Sequence, residues 1–403
     1  MNRSKLLSSF IILMSVLMVT TNGFAKKTNW MKKAVETSAA QLKLAAEKNT
    51  PGLNPRSINP DGSMRYAKPR DWTCGFFPGN LWYMYELTGD KAFKKEAARY
   101  TEALDSVQYF THTHDLGFML YCSYGNGLRL SGKKAYAKVM QRGAKSLSTR
   151  FNKNVGCIRS WDFGHWQYPV IVDNMMNLEF MFWASKSTGK DKYRNIAISH
   201  ANTTLENHFR EDYSSYHVVS YDTITGKALE HQTHQGYNDA SAWARGQGWG
   251  LYGYTLMYRE TKDQKYLDQA KHIAAFIMNH PRLPEDKVPY WDFDDPKIPD
   301  APRDASAGAL IASALFELST YVPDGEDYFK FAKTIIKNLS TPKYLAEVGT
   351  NKNFILKHST GNLPNNSEID TPINYGDYYY LEALKRYKDL RGEGKKGKGK
   401  QDR

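Results

Sequence analysis

At 403 residues, with 41% hydrophobic and 24% charged side chains and a mean hydropathy of −0.62, the chain is too apolar for a disordered protein and too polar for a multi-span membrane protein. Its formal charge is +13; setting aside two basic residues near the start and a net +4 on residues 391–403 leaves +7 on residues 26–390, a balance that favours an anionic partner. In an exported chain an acidic sugar fits that balance better than nucleic acid does, and 27 Tyr and 9 Trp supply flat amphipathic faces of the kind sugars pack on.

Residues 1–25 read as a secretory signal: Arg3 and Lys5, an apolar stretch at 6–19, then Gly23-Phe24-Ala25 as small residues for cleavage. The stretch is 14 residues long, short of the roughly 20 that a membrane-spanning helix needs. A soluble exported protein with no membrane span is expected, periplasmic in a Gram-negative host. Residues 391–403 read as a basic disordered tail. Cys74, Cys122 and Cys157 are an odd set without CxxC spacing and read as buried thiols.

Between these ends one turn recurs. It is Thr88-Gly89-Asp90-Lys91-Ala92-Phe93, then Ser131-Gly132-Lys133-Lys134-Ala135-Tyr136, then Thr188-Gly189-Lys190-Asp191-Lys192-Tyr193, with weaker copies ending at Tyr266 and Tyr328. Apolar runs precede the turns at 77–87, 116–130, 170–187, 240–260 and 305–321, and a sixth lies at 375–388. Runs with apolar residues at three- and four-residue spacing follow them, as at 91–106 and 265–280, and 30–47 is another. Alternation of buried and amphipathic helices predicts an all-α (α/α)6 barrel over residues 26–390, with six inner and six outer helices. The turn aromatics are 43, 57, 73 and 62 residues apart, too irregular for an open solenoid.

In such a barrel the loops leading into the inner helices gather at one end. His114-Asp115, Asp173, Arg245, Asp304 and Asp377 all fall there. Any one Asp at a helix start reads first as an N-cap, but a shared rim predicts a site. Asp173 follows the apolar triplet Val170-Ile171-Val172. Desolvation there would raise its pKa from about 4 toward neutrality, as a proton donor requires. Asp115 is the second acid, and two carboxyls in one pocket push their pKa values apart. Arg245, among Trp and Gly, needs an anion: either a protein carboxylate or the substrate's.

The chain resembles the unsaturated glucuronyl hydrolases of glycoside hydrolase family 88. The motifs are Asp71-Trp72-Thr73-Cys74-Gly75-Phe76, His114-Asp115-Leu116-Gly117-Phe118, Val172-Asp173-Asn174-Met175-Met176-Asn177 and Trp243-Ala244-Arg245-Gly246-Gln247-Gly248-Trp249-Gly250, with Gln235 ten residues before Arg245 and His217 eighteen before Gln235. The resemblance implies an (α/α)6 barrel without metal or other cofactor. It also implies removal of a 4,5-unsaturated uronic acid from the non-reducing end of lyase-generated oligosaccharides. By the same resemblance Asp173 is the general acid and base, Asp115 its partner, and Trp72, His114, Trp161, His217, Gln235, Arg245 and Trp249 are sugar contacts. Trp166 competes with Trp161 for the stacking role, and the next sugar is read at 363–374. Other readings of the same residues are an unsaturated rhamnogalacturonyl hydrolase of family 105, an inverting glycosidase using Asp115 and Asp173 across the glycosidic bond, and a non-catalytic glycan binder.

Overall fold

The computed structural model describes residues 29–392, so the expected signal segment, and the expected tail from residue 393 onward, lie outside the described residues. In chain order come α1 (Trp30–Lys48), strands β1 (Asn54–Ile58) and β2 (Met64–Ala67), α2 (Phe76–Thr88) and α3 (Lys91–Glu102). A π-helix at Gly117–Gly125 runs into α4 (Asn126–Ser131), followed by α5 (Lys134–Ser148), β3 (Phe151–Asn152), β4 (Cys157–Ile158) and β5 (Pro169–Ile171). A 3-10 turn at Val172–Asn177 leads into α6 (Leu178–Thr188), then α7 (Asp191–Asn207), β6 (Val218–Tyr221) and β7 (Ala228–Gln232). The chain closes with α8 (Ala244–Thr261), α9 (Gln264–Asn279), α10 (Ala305–Leu318), α11 (Gly325–Leu339) and α12 (Asn374–Leu390).

The inner ring is α2, the π-helix with α4, the 3-10 turn with α6, α8, α10 and α12, each packed on the next and α12 on α2. Outer helices α3, α5, α7, α9 and α11 fold back on the inner helix before them, and α1 packs on α2 with Trp30 against Tyr387 of α12 at 5.4 Å. Composition explains the two layers. In α10, every residue from Ala305 to Phe316 is buried, whereas α11 buries little beyond Ala332, Ile335, Ile336 and Leu339. The small residues of α10 let neighbouring helices come close, and the amphipathic stripe of α11 seals the outside.

The recurrent turn has a physical origin. At Gly89 the backbone takes φ 75° and its N–H donates to Tyr85 O, ending α2; Asp90 then accepts from Ala92 N to start α3. A left-handed residue followed by an N-cap reverses the chain in a few residues. After α8 the same role falls to Lys262 at φ 58°, which explains why that copy of the turn lacks glycine.

Two features depart from the sequence reading. Small antiparallel sheets occupy the loops ahead of the inner helices: β1 with β2, β3 with β4, and β5–β6–β7. The run at 170–187 is therefore not helical from its start, because Val170 and Ile171 pair with Val219 and Val218. A continuous apolar run suits a buried strand as well as a buried helix. Two inner helices also begin irregularly, one with the π-helix just after Asp115 and one with the 3-10 turn that contains Asp173. Gly117 and Asn177 meet there so closely that a Cβ on Gly117 would lie 2.3 Å from Asn177 Oδ1, and Phe118 N donates to that oxygen at 3.2 Å. All three cysteines are free and buried. No described helix is long and apolar enough to cross a membrane.

Candidate active site

A cleft of about 570 Å³ opens where the inner helices begin. Asp173 sits in its wall, on the 3-10 turn that β5 delivers, and is 7% exposed. The turn is fixed from outside by Val172 N donating to His217 O at 3.1 Å. Burial pushes the Asp173 pKa up to about 7; the positive charge of Arg245 opposes this rise and the negative charge of Asp115 adds to it. Its Oδ2 has no hydrogen-bond partner within the protein.

His217 stands behind that oxygen. Its Nδ1 accepts the backbone N–H groups of His234 and Gln235 at 3.0 and 3.1 Å, and burial holds its pKa well below the ordinary value. The ring is therefore neutral with its proton on Nε2, and Nε2 lies 3.6 Å from Asp173 Oδ2. Trp249 is fully buried between Phe118 and Tyr379, at 5.2 and 5.4 Å. Its buried indole N–H makes no hydrogen bond within the protein, and its nearness to Asp173 favours the charged carboxyl.

Asp115 lines the same cleft. Thr113 Oγ1 donates to Asp115 Oδ2 and accepts from Asp115 N, which orients the carboxylate. His114 Nε2 is 3.2 Å from Asp115 Oδ1; burial lowers the pKa of this ring too. The His114 backbone is anchored by its N–H donating to Ser160 O at 2.9 Å.

Of the expected sugar contacts, Trp72, His114, Trp161 and Gln235 line the cleft with both acids. Trp161 stacks on Phe163 at 4.8 Å and leaves its indole N–H unpaired, while Trp166 donates its indole N–H to Gln232 Oε1 at 2.5 Å and lies outside the cleft. His217 and Trp249 sit one layer behind the wall, against Asp173.

Arg245, also expected as a sugar contact, does not line the cleft. Its guanidinium is 1% exposed and pairs with Asp304 Oδ2 at 2.5 Å. It also donates to Thr360 O at 2.6 Å and to Gly361 O, and lies over the rings of Trp243 and Tyr375 at 4.5 and 5.3 Å. A protein carboxylate thus supplies an anion for it, and Asp304, which caps α10 through Oδ1, would otherwise carry a buried unpaired charge; the Arg245 Nε has no partner within the protein. Asp377 is structural as well: buried, it accepts N–H groups of Ile355 and Leu356 at 3.0 and 2.8 Å.

Sequence reasoning missed several cleft residues. Arg56, Arg65 and Glu368 come from β1, β2 and a C-terminal hairpin, while Arg70, His112 and Phe163 stand at the mouth. Only Phe163, inside the aromatic segment 160–166, carried a local signal. A second cavity of about 480 Å³ lies toward the other ends of the inner helices. Its Glu382 accepts from Tyr83, Tyr252 and Ser313. Among the described residues no group of three or more His, Cys, Asp or Glu could hold a metal ion.

Residues 49–390 match the family model of Glycosyl Hydrolase Family 88. The chain is 52% identical over 340 residues to an unsaturated glucuronyl hydrolase of Formosa agariphila, covering 83% of this chain and 85% of that protein. It is 34% identical over 330 residues to an unsaturated chondroitin disaccharide hydrolase of Streptococcus agalactiae serotype III, covering 79% and 82%. The crystal structure of an unsaturated glucuronyl hydrolase specific for heparin matches with a TM-score of 0.89 at 62% identity, over 90% of this chain and 98% of that one.

Proposed function

Since the chain belongs to Glycosyl Hydrolase Family 88, we propose that it removes the 4,5-unsaturated glucuronic acid from the non-reducing end of lyase-generated glycosaminoglycan oligosaccharides, by hydrating the enol-ether double bond. The observation that carries this reading is a buried carboxyl with a pKa of about 7 sharing one cleft with a second acid. Such a group holds a proton near neutral pH and can also take one back.

Asp173 gives its proton to C4, and positive charge develops on C5 and O5. The nearby Asp115 carboxylate stabilises that charge. Water adds at C5, its proton passing to Asp173, which restores the acid. The C5 hemiketal then opens by breaking C5–O5, and the C1 hemiacetal left behind expels the aglycone. Trp72 and Trp161 offer faces for the sugar rings.

The similar proteins include one specific for heparin and one acting on chondroitin disaccharide, and the basic balance of the chain suits both kinds of anionic product. A panel of unsaturated disaccharides from heparin, chondroitin, hyaluronan and pectin, followed by loss of enol-ether absorbance, tests the proposal. Turnover of glycosaminoglycan products is expected, and turnover of the pectin product alone would overturn it. The sequence pattern of residues 1–25 supports export to the periplasm. Expression in a Gram-negative host should yield a periplasmic protein beginning at Lys26; a cytoplasmic product retaining Met1 would contradict this.

A further inference from the structure

Residues 359–371 form a hairpin, bridged Ser359 to Thr371 and Asn362 to Ser367, that contributes Gly361, Asn362, Asn365, Ser367 and Glu368 to the cleft. Three of its residues, Asn366, Glu368 and Asp370, take φ of 49°, 55° and 48°, left-handed backbone that side chains disfavour. The hairpin therefore depends on contacts from outside itself. On one side Gln235 Nε2 donates to Gly361 O at 3.1 Å and Asn365 Nδ2 to His234 O at 3.2 Å.

On the other side stands Arg56 of β1. Its Nε and Nη2 donate to the two carboxylate oxygens of Glu368, both at 2.8 Å, and its Nη1 donates to Asp71 Oδ2 at 2.7 Å. Ser57 Oγ adds a bond to Glu368 Oε1 at 2.7 Å. Asp71 in turn accepts from Thr73 N and Thr73 Oγ1 through Oδ1, so it fixes the turn that carries Trp72. The Arg56 and Glu368 side chains are 11% and 5% exposed. One planar guanidinium thus joins two separate walls of the cleft, a geometry that a point-charge ammonium cannot copy.

Depth decides which part of a substrate those walls meet. Asp173 is buried, whereas Asn365, Arg70 and His112 are exposed at the mouth. A terminal ring protonated by Asp173 leaves the rest of the oligosaccharide running outward between the hairpin and Trp72. We propose, resting on the activity proposed above, that Arg56 is a specificity-determining positioning residue: it sets the spacing of the aglycone walls by clamping Glu368 of the hairpin to Asp71 beside Trp72.

The test uses the full chain with two substrates: an unsaturated glycosaminoglycan disaccharide, and the methyl glycoside of the same unsaturated uronic acid, which has almost no aglycone. In Arg56→Met the KM for the disaccharide should rise at least ~10-fold relative to that for the methyl glycoside, since displacement of a positioning wall by about 1 Å can cost up to ~100-fold. Arg56→Lys should fall between the two, as it keeps charge without the fork. Glu368→Gln breaks the clamp at its other end and keeps the side chain's shape, so the same ratio should rise even if Arg56→Met fails to fold. Equal changes for both substrates, or none, would overturn the proposal. Failure of the activity reading is distinct, because the unaltered protein would then turn over neither substrate or would cleave the saturated disaccharide as well.

Discussion

His217 Nε2 approaches Asp173 Oδ2 to 3.6 Å while His217 Nδ1 is committed to two backbone N–H groups. The imidazole is thereby held neutral with its Nε2 proton near the acid, beyond hydrogen-bond distance, and its Nδ1 cannot take up a proton without losing those bonds. On the proposed mechanism the proton is moved by Asp173, which lines the cleft, and not by His217, which does not.

Asp173→Asn should cut kcat by at least ~100-fold, the lower range of general acid–base catalysis, and leave a folded protein. The sign of the stability change discriminates further. Burial raises the Asp173 pKa to about 7, so this group's favourable contribution is present below the unfolded pKa of about 4 and is lost as pH rises through about 7. Above that pH the parent carries a buried carboxylate that asparagine does not. Urea denaturation at about pH 8 should therefore find Asp173→Asn at least as stable as the parent; a clear loss of stability would make Asp173 a helix cap rather than a proton donor.

The pH profile of kcat/KM should fall as pH rises through about 7, because the free enzyme must hold the Asp173 proton. Trp249→Phe removes a donor that favours the charged carboxyl, so the alkaline limb should move to higher pH. Asp115→Asn removes a negative charge that raises the Asp173 pKa; its residual activity should show the limb at lower pH, together with a large loss of kcat. Limbs that stay in place in both variants would mean that another group sets the profile.

Arg245→Ala should damage stability before it damages binding. Removing the guanidinium leaves Asp304 buried without its ion-pair partner, a change that typically costs about 3–5 kcal/mol. It also frees the Thr360 and Gly361 carbonyls. Chemical denaturation read beside KM checks this. An unchanged midpoint with a raised KM would return Arg245 to the role of a substrate contact.

The ring of helices was legible because burial leaves a local trace: runs such as 305–321 are apolar on all faces, and 265–280 only on one. The acids were legible for the same reason, each sitting at the start of a buried run. What the sequence hid depends on distant partners. Arg245 meets Asp304 across 59 positions, and Arg56 meets Glu368 across 312; the shared rim put the first two near each other without pairing them, and nothing local marks the second pair. Strand β5 hid inside an apolar run that fits helix and strand alike. The irregular starts of the two inner helices beside Asp115 and Asp173 lie where Gly117 meets Asn177, a tertiary contact that no local pattern announces.

Hydration of the double bond, begun by protonation of C4 by Asp173 in the proposed mechanism, is read by isotope labelling of the products. Turnover of an unsaturated disaccharide in D₂O should place deuterium on C4 of the released keto acid, and turnover in ¹⁸O-water should place the label at C5, both seen by mass spectrometry of fragmented products. The saturated disaccharide should be inert, having no double bond to protonate. Water oxygen at C1 with none at C5, or cleavage of the saturated disaccharide at a comparable rate, would instead show Asp115 and Asp173 acting across the glycosidic bond.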